Sequence, residues 1–228
     1  ELMTTMAPGP VPSLDTSGTA KTPFRRLVQV EIRKTWDTRA GTWLLGTIVG
    51  ITALAMIIFF AVADAEDRTF DNFIGFASTP QGFLLPVLGI LLITTEWSQR
   101  TAMVTFALEP SRTRVVASKV VAALLWGAGA FVAAIVIAGL FSLAGGADDK
   151  FEDVTLTVFL LFFALQLMTI LQGFAYGLIF LNTPAAIVVF FVLPIASSII
   201  FNVVSGLQDI APWVDLGTAQ EPLFEGEF

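Results

Sequence analysis

Residues 43–63 read WLLGTIVGITALAMIIFFAVA, a run without a single charged side chain. It is long enough for a helix to cross a bilayer core, which takes roughly 20 apolar residues. Four more runs of this kind follow, at about 74–95, 115–143, 154–181 and 185–204. A soluble chain of 228 residues cannot hide five such segments in one core, so the expected fold is all-α, a polytopic bundle of transmembrane helices. The composition points the same way, with 55% hydrophobic and 14% charged residues where soluble domains carry about 25% charged. Pro80 and Pro86 fall inside the second run, where a helix keeps them only if neighbours satisfy the freed carbonyls, so a kink is expected there; the fifth run contains Pro194. Asn182-Thr183-Pro184 reads as a helix start, with Asn182 or Thr183 as the cap.

The segments between the runs divide by charge. Lys21, Arg25, Arg26, Arg33, Lys34 and Arg39 precede the first run, Arg100, Arg112 and Arg114 lie between the second and third, and Lys119 stands at the start of the third, which places ten of the twelve basic residues on one side. Arg68 and Lys150 stand on the other side among Asp64, Glu66, Asp67, Asp71, Asp148, Asp149, Glu152 and Asp153. Lysine and arginine favour cytoplasmic loops, so the N-terminus is expected inside and the acidic turns outside. Residues 1–23 are rich in Pro, Gly and small residues and read as a disordered leader without a secretory signal. Residues 24–40 have apolar Phe24, Leu27, Val28, Ile32 and Trp36 at helical spacing, opposite Arg25, Arg26, Gln29, Arg33 and Lys34, the pattern of an amphipathic interfacial helix. Glu31 falls inside the apolar stripe and calls for a partner, with Arg100, Arg112 and Lys119 as candidates. Residues 41–204 form the transmembrane domain, and 205–228 are too polar to cross.

The chain has neither Cys nor His, which removes thiolate chemistry, the commonest metal ligand and the commonest general base. No catalytic residue and no metal site is expected. No charge is expected mid-bilayer either, which speaks against an ion-coupled pump, since such pumps carry buried ionisable residues. No phosphate-cradling G-x-x-x-x-G-K-[ST] loop occurs.

Between the second and third runs stands EWSQRTAMVTFALEPSRTRVVASKVV. It reads as Glu96 at the end of a span, Arg100 and Thr101, a short apolar helix from Met103 to Leu108 stopped by Pro110, a turn with Ser111, Arg112 and Arg114, and Lys119 at the start of the next span. Together with the basic helix at 24–40, this pattern resembles the permease subunits of bacterial type-2 ABC exporters. The resemblance implies a chain that spans the bacterial plasma membrane in a pair of permeases, identical or not. It implies that ATP and Mg are held by a separate ATPase subunit and that this chain binds no cofactor. The implied partners are that ATPase, the second permease and the lipid bilayer, with no nucleic acid. The family has six spans, so a sixth is expected beyond residue 228, with 205–228 leading into it as a re-entrant segment. The loop at 96–114 would then couple the permease to the ATPase, with Glu31, Glu96, Arg100, Thr101, Val104, Phe106, Leu108, Arg112 and Arg114 as the coupling residues. Glu96 and Arg100 are four apart, the favourable order for an ion pair on a helix.

On the fourth run Gln166, Thr169, Gln172 and Tyr176 share one face with Gly173 and Gly177. Such a stripe either lines a route for an amphipathic or hydrophobic substrate or hydrogen-bonds to neighbouring helices. The alternative to the exporter is a non-transporting membrane scaffold, which the same bundle would serve without an ATPase.

Overall fold

The computed structural model describes residues 21–146, 151 and 155–215. The leader at 1–20, most of the acidic turn at 147–154 and the tail after 215 lie outside the described residues. The elements are helices throughout: α1 Phe24–Asp37, α2 Arg39–Val62, α3 Phe70–Ser98, α4 Ala102–Leu108, α5 Arg112–Gly145, α6 Leu156–Phe180 and α7 Thr183–Val203, then a 3₁₀ turn Ser205–Ile210 and a short α8 Ala211–Val214. Five of them, α2, α3, α5, α6 and α7, are long and apolar enough to cross a membrane.

The boundaries have local causes. The chain turns between α1 and α2 at Thr38, whose extended backbone ends α1 and whose hydroxyl accepts from the Gly41 N–H at 3.2 Å. This starts α2 four residues before the apolar run does, so α1 stops short of the expected residue 40. Position 41 must be glycine because a Cβ there would overlap the Thr35 carbonyl. Asn182 caps α7 by accepting from the Ala185 N–H at 3.1 Å, with Pro184 in the first turn. Helix α3 continues through Pro80 and Pro86 as one element.

Helix α3 is the centre of the bundle. It contacts α2, α5, α6 and α7, and half of its most apolar stretch is buried, whereas α2 and α7 keep broad apolar faces outward. Its contact with α6 is close because Gly89, Gly173 and Gly177 lie in the seam. A Cβ on Gly173 would overlap the backbone of Pro86, and one on Gly89 would overlap the Ile170 carbonyl. Small residues that let backbones approach are the usual device where lipid offers no hydrophobic drive.

The interior has three layers. Toward the α1 end, Ile48, Leu85, Leu88, Ala123, Ile170 and Phe174 pack together. Toward the other end, Met56, Phe70, Phe73, Ala77, Ala134 and Phe162 form a cluster rich in phenylalanine, with edge-to-face pairs such as Phe59–Phe73 at 5.2 Å between centroids. Between the two lies a polar layer. The Gln81 amide donates to the Thr52 hydroxyl at 3.5 Å and the Ala130 carbonyl at 3.3 Å, and the Gln166 amide donates to Gln81 Oε1. Thr52, Gln81 and Gln166 are fully enclosed, so four helices each contribute one group to a sealed knot.

Candidate functional site

At the α1 end, four charged side chains from three helices converge. Glu31 lies on the α1 face turned toward the bundle, with Val28 and Thr35. Of the apolar stripe only Val28 is fully buried, while Phe24 and Trp36 are left outward. Lys119 comes from the start of α5 and Glu96 from the end of α3. The Lys119 ammonium donates to Glu31 at 2.5 Å and the Leu92 carbonyl at 3.1 Å, and forms an ion pair with Glu96 at 3.2 Å. Lys34 donates to Glu31 at 2.8 Å and Glu96 at 2.5 Å. Thr105 of α4 adds a hydroxyl donor to Glu96 at 3.2 Å. Two carboxylates and two ammoniums make a neutral quartet, in which Glu31, Glu96 and Lys119 are each less than one tenth exposed. Burial alone would lower the Lys34 pKa, but its hydrogen bonds to Glu31 and Glu96 and their charges outweigh it and hold the pKa above the ordinary lysine value.

The i, i+4 pair expected between Glu96 and Arg100 does not form. Helix α3 ends at Ser98, and Arg100 takes a left-handed backbone with φ 58° to turn the chain into α4, so its side chain leaves the face that carries Glu96. Of the three candidate partners for Glu31, Lys119 is the one used. Arg112 instead lies over the Phe106 ring at 5.7 Å, and Arg114 pairs with Glu109 at 3.2 Å and donates to the Thr22 carbonyl. Thr101 is exposed and its N–H bonds the Glu96 carbonyl at 2.8 Å, which ties α4 to the end of α3.

Helix α4 is seven residues long and mostly apolar on the outside. Met103, Val104 and Leu108 are 80%, 59% and 79% exposed, whereas Phe106 is half-buried beneath Arg112. Between α1, α3, α4 and the start of α5 lies a cavity of about 750 Å³, bordered by the quartet and by Val104 and Leu108.

The stripe on α6 is divided between neighbours. Gln166 is sealed in the polar layer and faces no open route, and Gly173 and Gly177 face α3. Tyr176 packs toward α7, edge-on to Phe190 at 5.4 Å, and Thr169 and Gln172 are half-buried. Gln166 is thus a tie between helices, because Gln81 on α3 supplies the acceptor. Three members of these sites were not expected from the sequence: Lys34, read as part of the polar face, and Gln81 and Thr52, read as ordinary span residues. A glutamine beside a proline inside an apolar run is the signal that could have found Gln81. Among the described residues no group of three or more acidic side chains could hold a metal ion. No protein family, no characterised protein and no solved structure matches the chain.

Proposed function

We infer that the chain is the membrane-spanning subunit of an ATP-driven exporter of the type-2 ABC kind, multi-pass in a bacterial plasma membrane with its N-terminus in the cytoplasm. The observation that carries this reading is the neutral quartet that joins α1 to the ends of α3 and α5, with α4 suspended from it through Thr105 and showing an apolar outer face. An isolated basic loop needs neither a buried ionic junction nor exposed Met103 and Leu108. A helix that docks in a groove of a cytoplasmic ATPase needs both, one to receive a push and one to pass it on without yielding.

In this reading ATP and Mg bind to the partner subunit, and closure of two ATPases drives α4 against the end of α3. Because Glu96 bonds α4, α1 and α5 together, these helices respond as one body and carry the motion along α3 and α5 to the opposite end. The basic face of α1 lies on the membrane surface. The outward apolar faces of α2 and α7 meet lipid or the second permease. A cargo with apolar surface suits a bundle whose spans carry almost no charge.

The test is purification from native membranes in mild detergent, with identification of any Walker-motif ATPase that accompanies the chain. The expected result is an ATPase with the wild type that is lost with Met103→Asp, a change at an exposed position outside the cavity. If no ATPase accompanies either protein, the exporter reading fails and the scaffold reading replaces it.

A further inference from the structure

The role proposed for the quartet makes no use of the cavity beside it. Its 750 Å³ falls within the range of about 300–1,000 Å³ that holds small organic ligands. One wall is apolar, made by Leu27 of α1 with Leu88, Leu91 and Leu92 of α3. Charged groups border the rest, and most are already satisfied within the protein: Glu31, Glu96 and Lys119 in the quartet, Glu109 on Arg114. Two cationic donors are left over. Arg26 is exposed at the rim, and its guanidinium has no hydrogen bond or ion pair among the described residues. Lys34 spends two of its three ammonium protons, and its side chain is 41% exposed.

An apolar wall with surplus positive donors at its edge selects an amphiphile with an anionic head. The surroundings select its source. The cavity reaches Thr38, Ala40 and Gly41 at the corner between α1 and α2, where Trp36 and Trp43 are 60% and 77% exposed. Exposed tryptophans of a membrane protein sit at headgroup depth. The amphiphile present in quantity at that depth is lipid.

We propose that this cavity is a binding site for an anionic phospholipid of the adjoining leaflet. Arg26 and the spare proton of Lys34, about two turns apart on α1, hold the headgroup from two sides, and an acyl chain lies along Leu27, Leu88, Leu91 and Leu92. The site rests on the bilayer reading given above and not on the ATPase.

Native mass spectrometry of the delipidated protein tests it, with phosphatidylglycerol, phosphatidylcholine of the same chains, and glycerophosphoglycerol as the headgroup without chains. The expected result is a preference of about fivefold for the anionic lipid, the weight of the one net basic charge at the site, that of Arg26, since the charge of Lys34 is balanced within the neutral quartet and it adds only a hydrogen bond. Arg26→Gln abolishes that preference, Arg25→Gln, exposed and outside the cavity, keeps it, and Leu91→Trp, which fills the cavity, weakens both lipids. The chainless headgroup does not compete. Equal losses in R25Q and R26Q would mean a diffuse basic face and overturn the site. Unchanged binding in L91W, or competition by the chainless headgroup, would also overturn it. If L91W does not fold, the contrast between R25Q and R26Q still decides. Failure to capture an ATPase leaves these outcomes untouched, so the two readings fail separately.

Discussion

Replacing Lys119 by Met keeps the apolar stem and removes the ammonium that touches Glu31, Glu96 and the Leu92 carbonyl. The two carboxylates then share Lys34 alone, and an enclosed site that was neutral carries a net negative charge. Breaking a buried ionic cluster by removing one partner costs about 3–5 kcal/mol, because the charge left behind is uncompensated. This amounts to more than about a hundredfold in the folding equilibrium. Glu31→Gln with Lys119→Met removes one charge of each sign and leaves Lys34 on Glu96, so its expected cost is only about 1–2 kcal/mol, that of lost hydrogen bonds. The double variant is therefore more stable than Lys119→Met alone, and the coupling between the sites is about 2 kcal/mol or more. Reversible unfolding in mixed micelles, followed by far-UV circular dichroism for the four proteins of the cycle, measures it. Additive losses, or a cost below about 1 kcal/mol for Lys119→Met, would refute the claim that charge balance rather than packing holds this junction.

Lys34 gives a pH dependence. Its pKa is raised on folding, so its contribution is complete below the ordinary lysine value and disappears as pH rises through the higher folded value; unfolding between pH 8 and 11 should show an alkaline loss that is smaller in Lys34→Met. Gly173→Ala should destabilise by about 1–3 kcal/mol through overpacking on Pro86, while Gly129→Ala, with open space around its new Cβ, should be neutral or slightly stabilising in the same assay. Gln81→Leu strands the Gln166 amide and should cost about 1–2 kcal/mol, whereas Gln81→Leu with Gln166→Leu should cost less than the sum of the single changes, as a double-mutant cycle would show.

The spans were legible because each is a local property of a run of side chains, and the start of α7 was legible because Asn-Thr-Pro carries its own cap. Glu31 declared itself by lying in an apolar stripe. Lys119 stood among its three candidate partners, but the sequence could not choose between them, since Lys119 reaches Glu31 only after α5 is packed against α1; Lys34 was missed because it looks solvated on a helical wheel. The Glu96–Arg100 pair failed for a definite reason: spacing of four residues means adjacency only while a helix lasts, and α3 stops two residues after Glu96. The division of the α6 stripe was hidden in the same way. Periodicity names a face, but Gln81 on another helix decides whether that face lines a route or closes a knot. The orientation of α4 followed from Thr105 turning inward to Glu96, a contact made only because the left-handed turn at Arg100 folds α4 back toward the end of α3.

The layer of amides between the two apolar clusters restricts how this bundle can move. Away from the glycine seam of α3 and α6, leucine and phenylalanine surfaces are forgiving, and a helix displaced along its axis by one turn, about 5.4 Å, would find other apolar partners at little loss. Gln81 and Gln166 would find none, and their amides would be stranded in hydrocarbon. Tilting about that level separates the ends of the helices while the amides stay joined. The knot therefore sets a level in the bundle at which tilting costs less than sliding.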